Sequence, residues 1–477
     1  MFTVLSKSPI LSSAKKRGKK MRIDQLRLKN FKLFEQVTLD FKPITLLTGI
    51  NSSGKSTILN AIASILQTPP PHMFPFDIVL NGENCSLGTY KDVSTNRSTK
   101  NNFGIGLTIT DVNNNININS EFRYSPRGEH ILPNSMEFSI NDDAIRVLWT
   151  GRQNGYHCIF DAPSLKKLHS DKAYRAFLDS LNQYLEGESK KKGSNKVRLK
   201  LAEEMLSDTV GKEEWIKAKG LSSRDIIEKI SSMPVGNHLV GNIRSFVHKF
   251  RYFTSYVGPI RAMPLRFYTP DQPHHSIDSK GINCAQLLND WRKHQKDKFD
   301  LVAKLLAELE LIDKIKTRST ADDILKVIVK PLHRDEESNF IDVGFGVSQA
   351  LPFIVSDVSL PDNSVLCVNQ PEVHLHPTSQ AKLANHFVAR CSSRQYIIET
   401  HSEYLINRLR LLVLKNQIDP DKIRILFFDS KSECYKQPTV HSIGVNKDGS
   451  LSNAPQEFFE TYYSDSFELA MAGNSNG

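Results

Sequence analysis

The sequence predicts an α/β protein: a largely parallel sheet with helices on both faces, carrying an N-terminal antiparallel β-subdomain and a helical insertion. Three observations lead there. Residues 365–368, 396–398 and 423–428 are short apolar runs separated by stretches of helical periodicity, the pattern of strands buried on both faces. Another such run, residues 44–48, enters a glycine-rich turn that opens into a helical pattern. Between them lie several runs of period-two alternation, which mark half-buried antiparallel strands.

In chain order, Ile23, Leu26 and Leu28 are spaced as a strand with one slip, and Val37, Leu39 and Phe41 alternate cleanly, so residues 21–41 read as a hairpin. Residues 44–48 form a short buried strand. Ile58, Leu59, Ile62, Ile65 and Leu66 recur at helical spacing until Pro69-Pro70-Pro71 stops them. Residues 76–160 read as further strands joined by polar turns, with Asn113-Asn114-Asn115 as a hairpin tip before Ile116 and Ile118. Helical periodicity follows from Ser164, through Leu165, Leu168, Phe177, Leu178, Leu181 and Leu185. It resumes at Leu199, Leu201, Ala202, Met205 and Leu206, after an exposed basic linker at 187–196. A strand-like stretch at 252–261, helices over 285–311 and a strand at 324–329 complete the reading. The expected divisions are a basic disordered tail (1–20), an N-terminal lobe (21–159), a helical insertion (160–250), a C-terminal lobe (251–430) and a small C-terminal domain (431–477).

Charge and cysteine usage narrow the classes. The 62 Lys and Arg exceed the 52 Asp and Glu by ten, but six of the basic residues (Lys7, Lys15, Lys16, Arg17, Lys19 and Lys20) crowd an acid-free start. Without that start the excess is only +4, so net charge is weak support for a nucleic-acid partner. The start reads as an unstructured tail or an upstream initiation site, with a transit peptide as the lesser alternative. Six scattered cysteines without a CxxC pair argue against a disulfide scaffold or a zinc ribbon. No apolar run approaches the ~18–20 residues that span a bilayer. A cytoplasmic location without membrane attachment is the expectation.

The chemistry concentrates in three places. Gly49-Ile50-Asn51-Ser52-Ser53-Gly54-Lys55-Ser56, followed by Thr57, is a full GxxxxGK[ST] match between a strand and a helix. Its glycines let successive N–H groups converge on phosphate oxygens, and the new helix adds its positive end. Lys55 is then expected to reach the β- and γ-phosphates of ATP or GTP, and the Ser56 hydroxyl to ligate Mg²⁺. The second place is Asp342-Val343-Gly344-Phe345-Gly346-Val347-Ser348-Gln349, a glycine turn into a helix start. The third begins at the strand ending in Asn369-Gln370-Pro371-Glu372, where a phosphate-binding sheet places its Mg²⁺- and water-handling groups. The next strand ends in Glu399-Thr400-His401-Ser402, which sets His401 toward a γ-phosphate.

In this order the motifs resemble the ABC-type ATPase heads of SMC and overcoming-lysogenisation-defect (OLD) proteins. They are most similar to prokaryotic AAA family ATPases with a short C-terminal domain of unknown function. The resemblance runs from LRLKNFKLFE through LGTYKDV, YVGPIR, GFGVSQALP, QPEVHLHP and ETHSEYLINRLR to the closing Asp448-Gly449-Ser450-Leu451, Pro455 and Phe458-Phe459. It implies Walker A at residues 49–57 and the signature loop at 344–349, with Gly344, Gly346, Ser348 and Gln349 touching nucleotide held by a partner head. It further implies Walker B at 365–370, with Asn369 beside Mg²⁺, and His401 as the switch histidine. A head-to-head homodimer with ATP at its seam follows, as does a regulatory role in anti-phage defence beside a separately encoded effector.

One departure matters. Relatives carry an acid where Asn369 stands, and many carry a catalytic Glu where Gln370 stands. Neither amide can act as a base, and loss of a general base costs about 10²–10⁴ in rate. Gln370, Glu372, His401 and Lys55 therefore remain the candidate catalytic set, with Glu372 or Glu399 as substitute carboxylates, and tight ATP binding with slow hydrolysis is expected. Two other readings stay open: a DNA-binding repair ATPase of the SMC/RecF kind and a hydrolysis-dead scaffold. DNA is kept as a candidate partner because residues 244–253 interleave Arg244, His248, Lys249 and Arg251 with aromatics, although such spacing is more often core. The His374-x-His376 pair lacks further ligands and reads as part of a turn.

Overall fold

The computed structural model describes residues 21–69, 72–112, 114–125, 130–151, 155–164, 210–217, 221–269, 277–319, 324–429, 438–455 and 458. The N-terminal half runs β1 (Met21–Phe31), β2 (Phe34–Asp40), β3 (Ile44–Gly49), α1 (Lys55–Leu66), α2 (Tyr90–Val93), β4 (Phe103–Asp111), β5 (Asn114–Ser125), β6 (His130–Ile140), β7 (Asp143–Thr150), β8 (Gly155–Asp161) and β9 (Val210–Lys217). The second half runs α3 (Ser223–Ser231), α4 (Pro234–Phe253), β10 (Thr254–Val257), α5 (Cys284–His294), α6 (Lys296–Glu308), β11 (Lys314–Ser319), β12 (Leu325–Lys330), β13 (Ser338–Asn339), α7 (Phe345–Ser359), β14 (Ser364–Asn369), α8 (Pro377–Arg390), β15 (Arg394–Glu399), α9 (Glu403–Leu414), β16 (Ile423–Asp429), β17 (Thr439–Val445) and β18 (Leu451–Ser452).

Two large sheets organise these elements. The antiparallel one has the order β2-β1-β4-β5-β6-β7-β8-β9. The slip legible in the first strand is a β-bulge between Ile23 and Gln25 in the β1–β4 pairing, which keeps Ile23, Leu26 and Leu28 on the buried face. The second sheet has the order β10-β14-β15-β3-β16-β17-β18, parallel from β10 to β16 and antiparallel beyond. Period-two alternation divides its strands between two cores. Leu47, Cys367, Ile397 and Phe428 face the antiparallel sheet, α1 and α4, whereas Leu46, Val368, Ile398 and Ile425 face α5 to α9. Both faces of β14 and β15 are thereby covered, which is why these strands read as unbroken apolar runs.

This is the expected α/β architecture, with a phosphate-loop strand inside a parallel sheet and an antiparallel β-subdomain before it. Several local expectations change. Within the stretch read as helical from 160 to 250, Val210–Lys217 is a strand paired antiparallel with β8. It has little apolar face of its own: Ile216 is buried, and Trp215 stacks on His157 at 4.4 Å. The helices and linker read over 165–209 lie outside the described residues, as do the tail 1–20 and much of 431–477. The strand read from 252 begins only at Thr254, because the apolar stripe Leu239, Ile243, Phe246, Phe250 carries α4 through Phe253. The helical stretch over 285–311 is two helices broken at Gln295, whose φ/ψ of −138°/59° leaves the helical region. Among the described residues no helix is long and apolar enough to cross a membrane.

Candidate functional site

The predicted residues meet at the carboxyl ends of β3, β14 and β15, where open α/β sheets place their ligand crevices. β3 ends at Gly49, whose φ of +126° only glycine adopts freely, and a Cβ there would lie 2.2 Å from the Phe428 carbonyl oxygen. The turn is held by Ile50 N donating to Phe428 O at 3.0 Å and Ser53 Oγ donating to Ile50 O at 2.7 Å. Asn51 and Ser52 are exposed at its crest, and Gly54 caps α1 in the left-handed region. Helix α1 has no side-chain cap and no acid in its first turn, so no side chain of the turn occupies its positive end. Thr57 follows, its N–H donating to Gly54 O at 3.1 Å. Lys55 folds back over this turn, its Nζ donating to Gly49 O at 3.0 Å and Ile50 O at 2.5 Å. Burial pulls its pKa below the usual lysine range, against the opposing pull of Glu399. The residues present thus fit a polyphosphate: a tight glycine turn, a helix start with no side-chain cap, and the Lys55 ammonium folded over that turn.

The facing wall comes from the ends of β14 and β15, which pair Asn369 with Glu399. Asn369 Nδ2 donates to Glu399 Oε2 at 2.8 Å, and the other carboxylate oxygen, Oε1, accepts from Ser56 Oγ at 2.8 Å. Asn369 Oδ1 is buried without a hydrogen-bond partner. Burial raises the Glu399 pKa, with the Ser56 hydrogen bond and the Lys55 charge working against it. Gln370 occupies a left-handed conformation (φ 42°), and its N–H donates to Glu399 O at 2.7 Å. Buried Arg261 pins this corner, donating to Asn369 O at 2.5 Å and to Gln370 O at 3.4 Å. Burial lowers its pKa to about 10 despite the nearby Glu372 and Tyr256.

Glu372 clamps the turn after β15: its Oε1 accepts from Thr400 Oγ1 and from His401 N, both at 2.8 Å. Its Oε2 is buried without a partner, and burial raises its pKa. His401 itself is exposed, its imidazole pKa lowered by partial desolvation and then by the Lys55 charge. The glycine turn of residues 344–349 sits against the far end of this wall. A Cβ on Gly346 would approach the His374 carbonyl to 2.7 Å, so glycine permits that contact. Gly344 is exposed, whereas Ser348 and Gln349 are buried within the chain and Ser348 Oγ donates to Phe345 O at 2.8 Å. His374 packs its ring against Phe345 and His376 accepts from Thr378 N at the start of α8. Among the described residues no group of three or more His, Cys, Asp or Glu side chains is gathered to hold a metal unaided.

Over residues 21–255 and 269–406 the sequence matches the AAA ATPase domain. The chain belongs to this family. In this AAA ATPase, then, the phosphate-loop geometry sits in its family context, and nucleotide binding and ATPase character follow at that level. No curated protein matches the chain. Among solved structures it is similar to an Smc head domain with an extended coiled coil, bound to the C-terminal domain of ScpA, from Pyrococcus furiosus (13% identity, 89% of this chain and 96% of that one, TM-score 0.42). It is also similar to the SMC head domain of Thermotoga maritima (11%, 88% and 98%, 0.36). These likenesses are too distant to carry an argument, and the assignment rests on the domain match.

Sequence reasoning gathered Lys55, Ser56, Asn369, Gln370, Glu372 and His401 into one site of this ATPase, and the fold brings them to one crevice. It gave Glu399 only the role of a substitute carboxylate. The available signal was position: Glu399 ends the strand lying between β3 and β14, so it borders both. In the basic–aromatic segment 244–253 one face is core, with Phe246 and Phe250 buried, while Arg244, His248, Arg251 and Tyr252 are exposed and Lys249 pairs with Asp111 at 2.9 Å.

Proposed function

We propose that this AAA ATPase binds Mg²⁺·ATP at the β3–α1 turn and hydrolyses it slowly, using bound nucleotide as a clamp between two heads. The observation that carries this reading is the uncapped start of α1, with Lys55 folded over it and Ser56 facing the ends of β14 and β15. Residues 49–57 would cradle the phosphates, and the Ser56 hydroxyl with Asn369 would face the cation. ATP itself supplies the hydrolysable γ-phosphate, while the chain orients it and shapes the space for the attacking water. Slow turnover follows from the uncharged Asn369-Gln370 pair and from Glu372, whose carboxylate already accepts two hydrogen bonds from the switch turn.

A second head is the proposed occupant of the face beside residues 344–349. There Ile260, Met263, Leu265, Phe267 and Phe345 are all about half or more exposed, from 49% to 77%. Their loop is tied to the signature turn by Arg266 and Asp342, 2.6 Å apart. Apolar side chains gathered in this way mark an interaction surface. In the dimer Gly344 and Gly346 would approach the partner's nucleotide. The regulatory role in anti-phage defence, with a separate effector, rests on the motif resemblance. Purified protein titrated with labelled ATP tests the core of the reading. A charge-assisted hydrogen bond is worth about 1.5–3 kcal/mol, so Lys55→Ala should weaken binding roughly 10–100-fold. Equal affinity in the two proteins would rule the site out. Salt-sensitive DNA binding at near-physiological ionic strength would instead favour the SMC/RecF-like alternative.

A further inference from the structure

The side chain of Glu399 answers a question that Asn369 raises. Mg²⁺ in nucleotide sites is held by one or two carboxylates together with substrate phosphates. Asn369 and Gln370 at the end of β14 offer none; Glu372 holds the switch turn through Oε1 and keeps Oε2 unpartnered, but the Ser56 hydroxyl, the expected Mg²⁺ ligand, donates to Glu399. Glu399 ends the neighbouring strand, directly opposite Asn369 in the parallel register. It is 4% exposed and bridges Ser56 Oγ and Asn369 Nδ2, one contact to each oxygen. A carboxylate offers about four lone-pair positions, so these two contacts leave it half satisfied. Beside it Asn369 Oδ1 is buried with no partner at all. A hydroxyl, an amide oxygen and a carboxylate therefore converge at the foot of the phosphate loop, and all are the oxygen donors a hard cation takes.

We infer that Glu399 supplies the anionic group of the Mg²⁺ site, moved by one strand from the position where relatives carry an acid, and that Asn369 orients it. Ser56 and Glu399 then face the cation from opposite walls, α1 on one side and β15 on the other. The Asn369 amide fixes the Glu399 rotamer as an outer partner fixes a metal ligand, and leaves its own Oδ1 to the cation's water shell. This inference rests on the Mg²⁺·ATP reading above and assigns its metal-holding residue.

The test is equilibrium binding of ATP with excess Mg²⁺ and with EDTA, reading the ratio of the two Kd values. Disturbing groups around a bound metal typically costs 10–100-fold in its affinity. Glu399→Gln, which keeps the side chain's shape but removes the charge and replaces one acceptor oxygen with an NH₂ donor, should therefore reduce the Mg²⁺-dependent gain by about that factor. Adding Asn369→Asp to Glu399→Gln should restore much of the gain by returning a carboxylate to the same crevice. Thermal unfolding without nucleotide checks that both variants are folded, and a purely structural Glu399 would change the melting temperature with no change in the Mg²⁺ ratio. An undiminished ratio in folded Glu399→Gln overturns the inference while leaving ATP binding intact. A wild-type ratio of one overturns it as well. Absence of ATP binding under either condition would bring down the Mg²⁺·ATP reading itself.

Discussion

At Gly49 backbone geometry and chemistry coincide, because a side chain there would strike the β16 backbone at Phe428 and sit at an unfavourable φ. Gly49→Ala should therefore cost about 1–3 kcal/mol or more in strain, read as a lowered midpoint in urea. Glu372 makes a different kind of contribution. Glu372→Ala strands the buried Thr400 hydroxyl and the His401 N–H, at about 1–3 kcal/mol for each group left unpaired. A melting temperature equal to wild type would show that the clamp carries no stability. Residue roles were legible in the sequence where a motif fixes them, as for Lys55 and Ser56. They were less so where only the register of two strands decides, as for Glu399 against Asn369. Spacing along the chain does not state which strand ends will be neighbours.

Among the elements, α7, α8 and β15 are joined through one buried carboxylate. Asp357 on α7 contacts His386 Nε2 at 3.0 Å, Arg390 Nε at 2.6 Å and Arg394 Nε at 2.8 Å, and accepts from Tyr396 Oη at 3.1 Å. Burial alone would raise its pKa, but the His386 hydrogen bond and the surrounding cations outweigh burial and hold it well below the usual carboxylate range. A depressed folded pKa means stability that is complete above the unfolded value, near ~4, and lost as pH falls toward the folded value. Asp357→Asn should thus cost about 3–5 kcal/mol at neutral pH, and its deficit relative to wild type should shrink progressively below about pH 4. Guanidinium melts at a series of pH values would show this, and a deficit constant with pH would contradict it. On α4, Phe250→Ala should cost about 3–5 kcal/mol as a core truncation, whereas Tyr252→Ala, 60% exposed, should change stability by under about 0.5 kcal/mol. Equal effects would mean that this segment is a surface and not a core. The period-3.6 stripe made that helix readable, while β9 was hidden because, over residues 211–217, Ile216 alone is buried and gives no periodicity.

For the whole molecule, two cores pack on the two faces of one largely parallel sheet whose strand ends bring the phosphate loop, Asn369 and Glu399 into a single crevice, with the exposed apolar loop around Ile260 and Phe345 beside the signature turn. The parallel sheet was legible in outline because its strands are apolar on both faces. The order β14-β15-β3 was not, since crossover helices hide which runs become neighbours. A nucleotide clamp requires that ATP persist on the protein. The most direct measurement is therefore a single-turnover experiment in which enzyme in excess over labelled ATP and Mg²⁺ is sampled for bound ATP, ADP and molecular mass. We expect intact ATP on a species of doubled mass, decaying more slowly than about 1 s⁻¹, and less retained nucleotide with Lys55→Ala, in line with binding weakened roughly 10–100-fold. Turnover faster than about 1 s⁻¹, or ATP held by a species that remains monomeric, would contradict the clamp.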